Sequence, residues 1–361
     1  MKKLIALALV MLMAAGLITS AAAEEKVYNV VNLVNGNLGD KSFFDSAEDG
    51  LRRLAEDGRI TYKTIEMGGL DSDQPLWLST LYEVSDAGTY DLIVCGTYQM
   101  PDYLLEVAEQ YPDQKYLIYD DTTYVGELDN VVNVSFKQND TGYMCGVLAA
   151  ALTTETDFRC INPEKVVGFV GGVDSPVIND FLYGFIEGAL SVDPEIKVCT
   201  RYTNDYVDTA IAKEYAYSMI NDYACDIIWG VAGNSGNGAA EAALETGKAL
   251  FIGVDSDQEL TFSEELASIT LTSGLKNIGD ALIWIFDQWD AGTTYWGTEV
   301  NLGIAEGGVG IVTDKNFTTL PESVQNAVLE AQEKIVSGEI VVSSAITDNE
   351  GAMALRDSVQ P

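Results

Sequence analysis

The chain predicts an α/β protein built from two successive doubly wound units, each with a parallel sheet. Three observations carry this. Short apolar runs alternate with helix-periodic segments from Val27 to Val254, the order in which buried parallel strands are joined by crossover helices. The segment Asp226–Gln258, DIIWGVAGNSGNGAAEAALETGKALFIGVDSDQ, displays one such unit complete: apolar strand, glycine-rich turn, small-residue helix, second strand and a closing carboxylate. The length of 361 residues is enough for two separate cores.

Each element follows from its pattern. In the first unit Val27–Val34 reads as a strand and Phe43–Asp57 as a helix. Thr61–Glu66 with Pro75–Ser85, and Leu92–Cys95 with Pro101–Tyr111, repeat that pair, and Lys115–Tyr119 leads by a loop to Val131. The second unit opens with helix Thr141–Leu152. It continues through strand Val166–Gly171, helix Val177–Leu190, strand Lys197–Tyr202, helix Asp208–Asp222, strand Asp226–Gly230, helix Asn237–Thr246 and strand Ala249–Val254. Beyond it, Ser268–Thr272, Glu299–Ile304 and Gly308–Val312 are strand-like, while Lys276–Trp289 and Ser323–Ser337 are helical. These pieces complete the two existing sheets, so the chain is expected to cross between lobes more than once and to form a multi-strand hinge with a cleft. The expected lobes are 27–136 plus 270–297, and 137–269 plus 298–361.

Residues 1–23 stand apart. Lys2 and Lys3 precede the apolar run Leu4–Ile18, and Ala21-Ala22-Ala23 offers a cleavage site, which together describe a secretory signal peptide and an exported protein. No cysteine lies near this segment, so a lipid-modified cysteine anchor is not expected. No other apolar run approaches the ~20 residues of a bilayer span. With 20 basic and 56 acidic residues the formal charge is −36, which makes nucleic acid and anionic membranes poor partners.

The chain has no histidine, which excludes Ser-His-Asp and Cys-His catalysis and histidine-bound metals. Of the five cysteines, Cys95 and Cys225 stand in apolar strand patterns as buried thiols. Cys160 and Cys199 flank a strand and its crossover helix and could pair in an exported protein, although spacing does not establish the geometry. Asp71-Ser-Asp73 and Asp255-Ser-Asp257 do not extend to a calcium loop, and no zinc spacing occurs, so neither metal nor cofactor is expected.

Ligands of such sheets sit outside the carboxyl ends of the strands, where the Gly233/Gly236/Gly238 turn and Asp255 would lie. The turn reads G-x-x-G-x-G, which is neither the dinucleotide fingerprint nor a P-loop. By itself it is a tight turn that glycine suits.

Five ordered segments resemble the basic membrane protein family, the purine nucleoside receptor-like branch of ABC-transporter substrate-binding proteins. They are Leu38–Phe43 (LGDKSF); Val134–Lys137 with Gly142 and Gly146; Val167–Gly172 with Pro176, Phe181, Gly184, Phe185 and Gly188; Gly233–Gly238 with Ile252–Gln258; and Thr272-Ser273 with Lys276 and Gly307–Gly310. The resemblance spans the mature chain and implies a type I periplasmic-binding-protein fold. It also implies a monomeric carrier that delivers a nucleoside to a permease and performs no catalysis. Two departures stand out. Phe44 occupies a position where the family usually has an asparagine, and the lipid-attachment cysteine is missing.

The same resemblance implies the site. Asp120 would accept a hydrogen bond from a base edge, Asp255 and Lys276 would hold ribose hydroxyls, Gly233 would let backbone approach the sugar, and Tyr206 would stack on the base. Asp40 is either a ligand contact or the N-terminal cap of its helix. Phe43 and Phe44 adjoin the cleft, though two adjacent helical residues need not both point into it. A sugar or sugar-derived signal is the alternative ligand, and a nucleoside hydrolase working with paired carboxylates is a third possibility.

Overall fold

The computed structural model describes residues 26–121 and 128–361; the expected signal peptide lies outside them. The first sheet contains β1 (Tyr28–Val34), β2 (Ile60–Glu66), β3 (Leu92–Gly96), β4 (Tyr116–Tyr119), β5 (Val131–Phe136) and β11 (Thr298–Leu302), ordered β11-β5-β4-β3-β1-β2 with every pair parallel. The second contains β6 (Val166–Gly171), β7 (Lys197–Tyr202), β8 (Ile227–Val231), β9 (Leu250–Asp255), β10 (Thr270–Lys276) and β12 (Val309–Ile311), ordered β12-β10-β9-β8-β6-β7. Among the described residues only β12 runs antiparallel to its neighbour. Strands β3, β4, β5, β6, β8 and β9 are buried at every position, as expected where helices cover both faces of a parallel sheet. The edge strand β2 instead alternates exposed and covered positions.

The helices are α1 (Phe43–Glu56), α2 (Gln74–Ala87), α3 (Pro101–Gln110), α4 (Gln138–Thr153), α5 (Pro176–Val192), α6 (Thr209–Asp222), α7 (Gly233–Thr246), α8 (Gln258–Thr261), α9 (Glu264–Ile269), α10 (Ile278–Asp290), α11 (Glu322–Ser337) and α12 (Asn349–Ser358). The closest helix contact is α4 on α5. Gly142 and Gly146 face the carbonyls of Phe181 and Phe185, while Gly184 and Gly188 face those of Asn139 and Tyr143. A methyl at any of the four would overlap a backbone oxygen, so these glycines set the helix separation. They belong to the segments that carried the family resemblance, and their role here is packing.

Three connections join the lobes: β5 to α4, β10 to α10, and β11 to β12. The expected lobe boundaries are corrected on this point. Residues 270–276, assigned to the first lobe, form β10 and pair with β9 in the second sheet, with Ser273 opposite Gly253. Residues 298–302, assigned to the second lobe, form β11 and pair with β5, with Val300 opposite Val134. Helix α10 lies on α1 in the first lobe, where the Gly279 N–H donates to Ser46 Oγ at 3.2 Å. All five cysteines are free, so Cys160 and Cys199 do not pair. The Cys160 thiol faces the Gly247 carbonyl at 3.6 Å, whereas Cys199 is buried in β7 against Cys225.

Candidate functional site

Both sheets direct the carboxyl ends of their strands at the space between the lobes, and the loops leaving them build a cavity of about 200 Å³. In the first lobe Asn35 follows β1, Thr97–Gln99 follow β3, and Asp120 follows β4. In the second, Tyr206 follows β7, Gly233 follows β8, and Asp255 ends β9. Thr97, Asp120 and Asp255 all have left-handed backbone, with φ of 75°, 65° and 63°. This conformation costs a non-glycine residue energy, less for aspartate than for most, and turns each side chain out of its strand toward the cleft.

All eight residues singled out in the sequence line this one cavity: Asp40, Phe43, Phe44, Asp120, Tyr206, Gly233, Asp255 and Lys276. Their environments differ. The carboxylate of Asp40 accepts the N–H groups of Ser42 at 3.0 Å, Phe44 at 2.9 Å and Asp45 at 3.1 Å, so it caps α1 from two residues upstream of the cap position. Lys276 and Asp120 are not independent: Lys276 Nζ donates to Asp120 Oδ1 at 2.6 Å, and the two residues are only 2% and 8% exposed. The ammonium is also ringed by Phe181, Phe136 and Phe43 at 4.8, 5.7 and 5.8 Å from the ring centroids. Asp255 Oδ2 accepts from Ser42 Oγ at 2.6 Å, a bond that crosses between lobes.

Both phenylalanines reach the cavity. Phe43 meets Phe44 edge-on at 5.1 Å and leans on Tyr119 at 5.5 Å, while the Phe44 ring lies over Gly36, where a β-carbon would overlap it. The Tyr206 ring lies over Gly172 in the same manner, and its hydroxyl meets that of Tyr98, from the opposite lobe, at 2.9 Å. Gly233 is also the first residue of α7, with φ of 54°, so the expected glycine-rich turn is the opening turn of a helix. Gly238 in that helix lets α7 approach the Thr209 carbonyl of α6.

Three carboxylates and one ammonium therefore share a buried space. Burial raises Asp40 to about 6, against the pull of its three backbone donors. Burial likewise raises Asp255 to about 6, with Lys276 and Ser42 opposing it. Asp120 is raised for the same reason, and Lys276 holds it down. Asn35, Asn37, Thr97, Gln99 and Asn234 also line the cavity and were not singled out in the sequence. Asn35 donates to Thr97 Oγ1 at 2.8 Å and leaves its Oδ1 buried without a partner. The strand-end rule that pointed to Asp255 would have found Asn35 and Thr97 had it been applied to β1 and β3. The cavity thus offers aromatic faces, carboxylate and amide acceptors, and one buried cation. That is the chemistry for gripping a flat polar molecule that bears hydroxyls. Among the described residues no group of three acidic or thiol side chains is placed to hold a metal ion.

Two sheet-bearing lobes, three crossings and a polar cavity at the strand ends define a type I periplasmic-binding-protein fold, the class of ABC-transporter solute receptors. A structure of such a solute-binding protein from Aeropyrum pernix is 26% identical and superposes with a TM-score of 0.75 over 93% of this chain and all of the other. One from Actinobacillus succinogenes with bound D-allose is 13% identical at a TM-score of 0.62, covering 81% of this chain and all of the other, a likeness of fold alone. The chain belongs to the Bmp family, whose model, described as ABC transporter substrate-binding protein PnrA-like, matches residues 27–345. It is 32% identical to the CD4+ T-cell-stimulating antigen of Listeria monocytogenes over 94% of this chain and 98% of that protein. It is 30% identical to basic membrane protein A of Borreliella burgdorferi, over 86% of each. Substrate-binding proteins of ABC importers work outside the cytoplasm. No helix among the described residues is long and apolar enough to cross a membrane.

Proposed function

We propose that the protein is an exported, monomeric nucleoside receptor that closes on a purine nucleoside between its lobes and passes it to the permease of an ABC importer. The observation that carries this reading is the meeting, in one cavity, of aromatic rings from both lobes with the Asp255 carboxylate and the Lys276 ammonium. Phe44 from the first lobe and Tyr206 from the second supply faces for a base. Asp255 accepts from the ribose hydroxyls, Lys276 donates to them, and the left-handed backbone at Gly233 lets the sugar approach the start of α7. The Asp120 oxygen not engaged by Lys276 takes a base-edge donor. Hydrogen bonds to charged groups contribute roughly 1.5–3 kcal/mol each and a stacked base about 1–3 kcal/mol. A few such contacts reach the ~8 kcal/mol of micromolar binding after ordering costs.

The second reading, a sugar or sugar-derived solute, draws support from Phe44, an apolar ring where an amide would read a base, and from the hydroxyl that Tyr206 adds to the aromatic wall. The test is isothermal titration of protein refolded from denaturant, against adenosine, guanosine, inosine, uridine, cytidine and ribose. Saturable heat from a purine nucleoside and none from ribose is expected. Silence from every nucleoside would discard the proposal and move the search to sugars. We read the protein as a carrier, so inosine incubated with it is expected to stay intact; hypoxanthine on a chromatogram would instead mark a hydrolase.

A further inference from the structure

Three consecutive carbonyls at the entry to α1, in the first lobe, are each met by a side chain of the second. The Asp40 carbonyl accepts from Asn237 Nδ2 of α7 at 3.4 Å, the Lys41 carbonyl from Gln258 Nε2 of α8 at 3.4 Å, and the Ser42 carbonyl from Ser256 Oγ at 2.8 Å. Ser42 also answers in the other direction, its Oγ donating to Asp255 Oδ2 at 2.6 Å. Left-handed backbone at Gly39 and Lys41, with φ of 89° and 59°, makes the bend from which these carbonyls face the second lobe.

The donors on the far side are held by bonds within their own lobe. Gln258 Oε1 accepts the Val254 N–H at 3.1 Å, the Gln258 N–H donates to Ser273 Oγ at 3.1 Å, and Gln258 Nε2 also reaches Asn237 Oδ1 at 3.3 Å. Ser42, Asn237 and Gln258 are all buried where the lobes meet. A further contact between lobes, of the Tyr98 and Tyr206 hydroxyls at 2.9 Å, lies elsewhere around the cavity.

Every one of these bonds runs from protein to protein. Closure driven by a ligand needs the ligand to supply the bridge between lobes, whereas here the chain supplies it, with one charge-assisted bond among the four at α1. A hinge between two states is biased by contacts that exist in only one of them, so this seam favours the closed form with or without a ligand. We propose that residues 40–42, together with the side chains of Asn237, Asp255, Ser256 and Gln258, form a latch that holds the lobes together before a ligand arrives. The receptor rests closed and opens transiently to admit its solute, which adds to the latch rather than creating the closed form. The proposal does not depend on which solute that is.

The test is small-angle X-ray scattering of the protein, refolded from denaturant to remove any carried ligand, beside the double variant Ser42→Ala/Ser256→Ala. The two lost bonds are expected to lower the closed-to-open ratio roughly tenfold or more. The wild type should therefore scatter as the closed form and the variant should show a larger radius of gyration, with circular dichroism and melting showing that it folds. If the double variant does not fold, Ser256→Ala carries the test, with a smaller shift in the same direction. A ligand-free wild type already more open than the closed form overturns the proposal in favour of closure by the ligand. Wild type and variant both scattering as the closed form overturns it in favour of other contacts between the lobes. Neither result bears on the nucleoside reading, which stands or falls on the titration.

Discussion

Asp120 and Asp255 occupy equivalent places in the two lobes. Each follows or ends the third strand of its sheet, β4 in one order and β9 in the other, and each has left-handed backbone at nearly the same φ, 65° and 63°. Their partners differ. Asp120 is ion-paired to Lys276, which enters from the strand leading into the hinge, whereas Asp255 meets only the neutral hydroxyl of Ser42 from the opposite lobe. One carboxylate is paired directly with the ammonium, while the other feels the same ammonium only through space, and burial outweighs that pull. Equivalent positions in two similar sheets thus divide between a carboxylate held in an ion pair and one met by a neutral hydroxyl.

The largest effect is expected from breaking the pair. Lys276→Met leaves Asp120 buried and unmatched, which should lower stability by about 3–5 kcal/mol in denaturant unfolding, and the double variant Lys276→Met/Asp120→Asn should recover most of the loss. No recovery would mean that the aromatic ring around Lys276, rather than the charge pair, holds the region together.

The pH dependence sharpens the contrast. The Asp255 carboxyl is raised from 3.8 to about 6 in the folded protein, so between those values the folded state holds a proton that the unfolded state has released. The stability linked to this group is therefore full below pH ~4 and lost as pH rises through about 6. Wild-type stability should fall over that window, and Asp255→Asn should flatten the fall by about 1–2 kcal/mol. An unchanged slope in the variant would show that Asp255 is ionised at little cost.

For ligand affinity, Asp255→Ala and Asp120→Ala are each expected to weaken nucleoside binding tenfold or more without unfolding the protein. Titration showing parental affinity in both would remove these residues from the site while leaving the family membership intact. The smallest effect belongs to Phe44→Asn, which introduces the amide that the sequence resemblance leads one to expect at this position. A several-fold gain in purine affinity, or acceptance of more bases, is expected across a base panel, and identical affinities would show that this position does not read the base.

Much of this arrangement was legible before any coordinates. Parallel strands buried on both faces appear as unbroken apolar runs, so Leu92–Cys95, Val166–Gly171 and Ala249–Val254 disclosed β3, β6 and β9 directly. The boundaries moved where local signals mislead: glycine suggested a turn through Gly238, but packing of α7 on α6 requires a small residue inside the helix itself. Asn35 and Thr97 escaped notice because short polar residues after a strand look like ordinary loop.

By itself the sequence determined the order of elements, the two-lobed parallel architecture, the family, and the strand ends where the site would form, since each is written in local periodicity or contiguous motif. Only the tertiary structure decided that β10 joins the second sheet and β11 the first, and that Lys276 closes on Asp120 while Asp255 meets Ser42. The pairings of β11 with β5, Lys276 with Asp120 and Ser42 with Asp255 join residues more than a hundred positions apart, and they follow from which edges and charges meet when the chain crosses the hinge.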